Sequence, residues 1–290
     1  MRKGILLAGG TGTRLHPLTS ITNKHLLPVF DKPMICYSLS VLMLANIREV
    51  LLISTPEDVP NFQRLLGDGS QLGMSIEYAE QAEPRGIAEA LLIGEEFIGG
   101  KPMALILGDN ILFGVGLGTR LQNIKDDDNA LIFSYRVSDP ERYGVIETDA
   151  DGGVVSIQEK PENPKSNFAI IGLYFYPADA PDFARNIKPS ARGELEITDV
   201  NNAYLKSGRL KVKTLSRGYA WLDAGTETAL LDSANLIAAI EKRQNLRIGC
   251  IEEIAWQMDW IDDAQFLALA DNFGNSAYGR YIRAVALGEI

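Results

Sequence analysis

Cysteine is scarce in this chain: Cys36 and Cys250 stand far apart among 290 residues, outside any ligand-spacing motif. That argues against a disulfide framework or a zinc site and suits buried thiols in a reducing compartment. Basic residues are also in short supply. The 28 lysines and arginines face 38 acidic residues, a net charge of −10, which is the wrong sign for general nucleic-acid binding. No apolar run is long enough for a membrane span, and the N-terminus enters an apolar strand without a signal-type h-region. Internal repeats and low-complexity segments are absent. The expectation is a cytoplasmic protein with no nucleic-acid or membrane partner. The remaining composition, 46% hydrophobic and 23% charged, is that of a globular chain able to bury a substantial core.

Two familiar glycine fingerprints are missing as well. Residues 5–8 read as a buried parallel strand. Gly9, Gly10 and Gly12 follow it, and such glycines let backbone N–H groups approach an anion closely. A Rossmann fingerprint needs a third spaced glycine where this chain has Thr13, Arg14 and Leu15, and a P-loop needs Lys-Ser/Thr after its last glycine. The glycines alone would suit any tight strand-to-helix turn. Arg14 adds a rigid fork of donors matched to phosphate, and Lys24 adds a compact point charge. Together they read as a triphosphate cradle. Against the acidic net charge, Arg14, Lys24 and Lys160 would form the local basic site that draws anionic substrates in.

Strand-like runs at 51–54, 75–78 and 103–107 alternate with helical patterns at 33–44 and 87–96, which implies βαβ units and a mostly parallel sheet. Ligands on such sheets bind at the carboxyl ends of strands. Gly9 and Asp109 each follow a strand, so they can share one cleft. From 130 the pattern turns strand-rich, at 130–137, 144–147, 154–158, 169–176 and 210–215. A long helical pattern covers 226–245, and three amphipathic helices are expected at 252–260, 262–271 and 277–286, with Asp262 and Ser276 as caps. The fold expected is α/β, Rossmann-like, with a mixed central sheet flanked by helices. Residues 1–245 would form the catalytic domain and 246–290 a small C-terminal helical extension.

The opening Leu7-Ala-Gly-Gly-Thr-Gly-Thr-Arg-Leu15 and the later Lys24-His-Leu-Leu-Pro28 resemble the sugar-1-phosphate nucleotidyltransferases. The similarity continues through Leu107-Gly-Asp-Asn110, Asp139-Pro-Glu-Arg-Tyr-Gly144, Glu159-Lys-Pro161, Arg192-Gly-Glu-Leu-Glu196 and Trp221-Leu-Asp-Ala-Gly-Thr226, over essentially the whole chain. It points to the thymidylyltransferase branch, in the long form with C-terminal helices. That resemblance implies dTTP and glucose 1-phosphate as substrates, dTDP-glucose and pyrophosphate as products, Mg²⁺ as cofactor and a homotetramer. It implies Asp109 and Asp223 as metal ligands, although sequence spacing cannot bring them together. Hard oxygen donors of this kind suit Mg²⁺, which takes one or two carboxylates plus phosphate oxygens and water.

The same resemblance gives Arg14, Lys24 and Lys160 the catalytic roles of neutralising phosphate charge. The nucleotide would lie on Leu7, Gly9, Gly10, Thr11, Gly12, Thr13 and Gly108. Its base would be read by Gln81, Pro84 and Gly86, since an amide matches the N3–H and carbonyl edge of thymine or uracil. The sugar would meet Asn110, Gly144, Glu159, Tyr174 and Glu194, the last being equally suited to helix capping. Departures from the family pattern are also visible. His25 replaces a common glutamine, residues 85–89 end in Glu89 where Gly-Leu-Ala-Gln is commoner, and Phe113 to Gly118 is apolar where the branch has a polar segment. Gln257 and Asp259 stand where basic residues are usual, so the feedback site of those enzymes is expected to be missing. A preference for UTP or another sugar phosphate is the alternative within the class. A catalytically weak nucleotide-sugar-binding paralogue is the alternative outside it.

Overall fold

The apolar run after Lys3 becomes a central strand whose two-residue alternation feeds two cores. A computed structural model of the chain describes residues 1–10, 12–149 and 153–290. Its strands are β1 (Lys3–Leu7), β2 (Pro28–Val29), β3 (Lys32–Pro33), β4 (Glu49–Ser54), β5 (Ser75–Glu80), β6 (Met103–Leu107), β7 (Asn110–Gly114), β8 (Ala130–Arg136), β9 (Gly144–Thr148), β10 (Val154–Glu159), β11 (Phe168–Tyr176), β12 (Leu210–Thr214) and β13 (Tyr219–Asp223). The main sheet runs β10-β9-β11-β6-β1-β4-β5, with β8 joined to β11 and β12 to β8. Strands β6, β1, β4 and β5 are mutually parallel, while β11 runs antiparallel to β6 and β8. The mixed sheet expected from the sequence is therefore present.

Ile5 and Leu7 point to a core with Leu51, Ile53, Leu91 and Leu105; Leu6 points to another with Leu39, Leu42, Leu52 and Ile106. Successive strand side chains face opposite ways, so one apolar run can fill both sides of the sheet. The helix Met34–Leu44 is mostly apolar, with the hydroxyls of Ser38 and Ser40 hydrogen-bonded, and every residue from Met34 to Met43 is buried. Such a helix has to be covered on all sides. It is: the sheet lies on one flank, and the C-terminal helix Ile251–Gln257 packs on another.

Beyond the helix Glu227–Gln244, the helices Ile251–Gln257, Asp263–Asn272 and Ala277–Ala286 complete the chain. Cys250, Ile254, Phe266 and Ile282 join the core that contains Leu6. Asp262 and Ser276 cap as expected, accepting from the N–H groups of Gln265 and Gly279. Both cysteines are free and buried. Two boundaries differ from the periodicity. The helix expected at 252–260 ends at Gln257, because Asp259 turns left-handed (φ 56°) and the Trp260 N–H returns to the Ala255 carbonyl. The pattern at 87–96 divides at Gly94 into Glu89–Ile93 and Glu95–Ile98. No described helix is long and apolar enough to cross a membrane.

Of the elements outside the expected pattern, one pair shapes the cleft. Strand β7 leaves the main sheet and pairs antiparallel with β13, in a register that sets Asn110 opposite Asp223. The covering of the helix Met34–Leu44 predicts a large cost for opening it. Leu39→Ala, at a fully buried position, should lower unfolding free energy by about 2–5 kcal/mol. A shift in the urea midpoint would read this directly, and an unchanged midpoint would mean the helix is not a core element.

Candidate active site

A cleft of about 350 Å³ opens beyond the carboxyl ends of β1 and β6. Leu7, Gly9 and Gly10 form its floor at the end of β1, with Arg14 and Lys24 beside them. Gln81, Pro84 and Gly86 line it as well, as do Asn110, Gly144, Glu159, Lys160, Tyr174 and Glu194. Asp109 and Asp223 share the same cleft. The sequence-predicted residues thus converge from widely separated segments. Gly12, Thr13 and Gly108 do not line the cleft: Gly12 opens the short turn Thr13–Leu15, and Gly108 packs behind the wall against His25 and Ile35. Thr11 lies outside the described residues.

The two acidic residues meet because β7 and β13 pair. Asp109 precedes β7 and Asp223 ends β13, and the Ala224 N–H donates to the Asp109 carbonyl at 3.4 Å. The buried Ser38 hydroxyl lies 3.0 Å and 2.9 Å from the carbonyls of Leu107 and Asn110, gripping the turn that carries Asp109. Asn110 works from inside this turn. Its amide donates to Asp109 Oδ1 at 2.9 Å, and its carbonyl oxygen accepts from the Trp221 indole and the Gly172 N–H. Expected from the sequence to meet sugar, Asn110 lines the cleft and also holds Asp109 and Trp221.

Charge is balanced unevenly between the two carboxylates. Burial would raise the Asp109 carboxyl, but the Lys24 ammonium at 2.6 Å and the Asn110 amide together hold the group below its ordinary range. Asp223 goes the other way, raised first by burial and then by the negative charge of Asp109. Two carboxylates that repel each other across a cleft, with Arg142 Nη2 3.3 Å from Asp223, form a donor pair that fits a divalent cation. Among the described residues no group of three or more histidine, cysteine or acidic side chains could hold a metal alone. Phosphate oxygens and water would have to complete the shell, which is the habit of Mg²⁺.

Backbone conformation aims the remaining groups. Glu159 ends β10, where strict alternation would turn Lys160 away; instead Lys160 adopts φ 42°, and both side chains face the cleft. A non-glycine residue in that region is strained by roughly 1 kcal/mol or more and persists only where its surroundings enforce it. Glu159 also accepts from the Thr198 hydroxyl at 2.6 Å. Gly86, at φ 103°, lies so close to Leu195 that a Cβ would fall 2.3 Å from its carbonyl oxygen. There the Leu195 N–H donates to the Arg85 carbonyl and the Ala88 N–H to the Leu195 carbonyl, tying the segment after Gln81 to the segment after Glu194. Arg142 was missed from the sequence. Its position within the Asp139–Gly144 motif was the available signal, and the structure adds it to the cations at the acidic pair.

His25 is among the residues lining the cleft, but its ring is poorly placed to carry a proton. It is buried, its Nδ1 lies 2.8 Å from Asn23 Oδ1, and burial followed by the Lys24 charge pushes its pKa down to about 3. It packs as a neutral ring beneath Gly108.

Comparison with known proteins gives a consistent picture. A family model described as nucleotidyl transferase matches residues 3–240. The chain is 54% identical over 286 residues to a glucose-1-phosphate thymidylyltransferase of Xanthomonas campestris pv. campestris, covering 98% of this chain and 97% of the relative. It is 52% identical over 280 residues to one of Mycobacterium tuberculosis, with 97% of each covered. Among solved structures, one described as a glucose-1-phosphate thymidylyltransferase of Bacillus anthracis, in complex with sucrose, superposes with a TM-score of 0.75 at 41% identity, covering 81% of this chain and 95% of that one. A UDP-glucose pyrophosphorylase complexed with UDP-glucose gives 0.71 at 26% identity, covering 84% and 100%.

The neutral burial of His25 has a consequence for stability. Below its ordinary pKa of 6.5 the unfolded chain takes up a proton that the folded chain refuses until about pH 3. Stability attributable to this residue should therefore fall as pH drops through that window, by about 1.4 kcal/mol per unit at most. His25→Gln should flatten the slope between pH 6.5 and 5, measured by urea unfolding of both proteins at matched pH. Parallel slopes would show that the ring is protonated, or not buried, in the folded state.

Proposed function

The chain belongs to the nucleotidyl transferase family, and from that premise we propose that it joins glucose 1-phosphate to the α-phosphorus of dTTP, forming dTDP-glucose and releasing pyrophosphate. The observation that carries this reading is the pairing of β7 with β13, which brings Asp109 and Asp223 into one cleft with Arg14, Lys24 and Lys160. Relatives named glucose-1-phosphate thymidylyltransferase at 52–54% identity support the choice of substrates.

Such a reaction asks little covalent work of the protein. The sugar phosphate is already an anionic nucleophile and needs no general base; positioning and charge neutralisation suffice. Arg14 forms no ion pair among the described residues, so its guanidinium is available to the departing pyrophosphate. Lys24, anchored on Asp109, faces the reacting phosphates, and Lys160 reaches the sugar phosphate from the opposite wall. Glu159, fixed by Thr198, accepts from sugar hydroxyls, with Gly144, Tyr174 and Glu194 closing the pocket. Gln81 and Gly86 read the base, while Leu7, Gly9 and Gly10 let the nucleotide lie against the strand end. Mg²⁺ held by Asp109 and Asp223 would supply charge neutralisation at the triphosphate.

The two thiols are not placed to act as nucleophiles. Cys36 and Cys250 are both buried away from the cleft, and burial raises both thiols, Cys36 to about 12. The reading is direct, in-line attack by the sugar phosphate on the α-phosphorus. The protein works in the cytoplasm as a homo-oligomer, a tetramer by family resemblance. UTP is the second reading, because thymine and uracil share the edge that Gln81 faces and one structural neighbour carries UDP-glucose.

Asp109→Asn and Asp223→Asn should each lower turnover by about 100-fold or more while cooperative unfolding is retained. Chelation with EDTA should stop pyrophosphate release by the unaltered protein, and added Mg²⁺ should restore it. Wild-type rates in either variant, or full activity in EDTA, would refute the metal assignment.

A further inference from the structure

Behind the proposed base-binding glutamine stands a carboxylate that does not itself line the cleft. Gln81 follows β5, its side chain is 6% exposed, and its backbone N–H donates to the Ser54 carbonyl at 2.7 Å. The side-chain amide donates from Nε2 to Glu89 Oε2 at 2.8 Å and to the Gly86 carbonyl at 3.2 Å. A carboxylate and a carbonyl oxygen can only accept here, so both amide hydrogens are committed and the orientation of the amide is fixed by chemistry. Oε1 is left as the free end. It stands over the strand end, where a Cβ on Gly9 would come within 2.7 Å of it.

We propose that Glu89 is a positioning residue for base selection: it holds Gln81 so that only an acceptor, Oε1, faces the nucleobase. This rests on the nucleotidyl-transfer reading above and adds the device that sets its pyrimidine choice. Thymine and uracil present an N3–H donor to that oxygen. Cytosine presents the N3 lone pair, so two acceptors oppose each other and a buried polar contact goes unmade, the circumstance in which discrimination is strong. The charge at position 89 matters. A glutamine there could offer Gln81 either its oxygen or its nitrogen, which would leave the Gly86 carbonyl alone to fix the orientation of the amide. Glu89 opens the short helix Glu89–Ile93, so its carboxylate also suits a helix N-terminus. A role limited to the helix would affect every nucleotide alike.

The test compares equilibrium binding of dTTP and dCTP, and turnover with each, for the full-length protein, Glu89→Gln and Glu89→Leu. The unaltered protein should favour dTTP. The preference, as a ratio of Kd values, should fall about tenfold or more in Glu89→Leu and by a smaller factor in Glu89→Gln. With dTTP, KM should rise while kcat stays within about threefold, since the phosphate-binding groups are untouched. An unchanged ratio in Glu89→Leu would overturn the proposal, as would equal losses for dTTP and dCTP or an unaltered protein that binds both equally. Failure of the parent reading looks different: nucleotides would bind with the expected ratio but no pyrophosphate would be released with any sugar phosphate.

Discussion

The mutual repulsion of Asp109 and Asp223 is the constraint around which this cleft is arranged. Neither carboxylate would be stable alone in so buried a place. The fold offsets the problem on both sides, with Lys24 on Asp109 and Arg142 on Asp223. Those cations come from different parts of the chain, and the carboxylates from two strands that meet only in the β7–β13 ribbon. Asn110, Ser38 and Trp221 then fix the backbone between them through hydrogen bonds of 2.6–3.0 Å. The same residues that keep two negative charges together also leave them facing a space of a size and polarity suited to phosphates.

Fixing Lys24 requires more than its contact with Asp109. The segment before it is held by Asn23, whose amide donates to Asp58 Oδ2 at 2.7 Å and whose oxygen accepts from the His25 N–H. The segment after it turns through the β2–β3 hairpin, where Lys32 donates to the Ile248 carbonyl at 2.9 Å and Arg247 approaches Asp31 Oδ2 at 3.0 Å and Glu241 Oε2 at 2.7 Å. Buried ion pairs of this kind add little net stability but define geometry strictly once their hydrogen bonds are complete. The residues after the long helix Glu227–Gln244 thereby brace the loop that presents a cleft cation, and their apolar faces cover the helix Met34–Leu44.

Local patterns revealed much of the scaffold. The apolar run from Ile5 to Ala8 identified a buried parallel strand, and Asp262 and Ser276 announced helix starts by their side-chain chemistry alone. The glycines with Arg14 and Lys24 marked the cleft floor. What escaped was whatever depends on long-range pairing. Strands β7 and β13 are short and half-buried, so no periodicity distinguishes them from loops, and the meeting of Asp109 with Asp223 exists only through their register. Arg142 escaped because an arginine beside Asp-Pro reads as solvated surface until Asp223 is folded against it. The amide of Asn110 shows the reverse case: its type fits sugar binding, while its neighbours Asp109, Gly172 and Trp221 give it a scaffolding task that no sequence window contains.

The account is tested most directly by pyrophosphate release from dTTP, UTP, CTP, ATP and GTP, each with glucose 1-phosphate and Mg²⁺. Release that depends on glucose 1-phosphate and is fastest with dTTP is the predicted result, with UTP next because it shares the base edge facing Gln81. No release with any nucleotide, across other sugar 1-phosphates as well, would contradict the claim that the Asp109–Asp223 cleft performs nucleotidyl transfer.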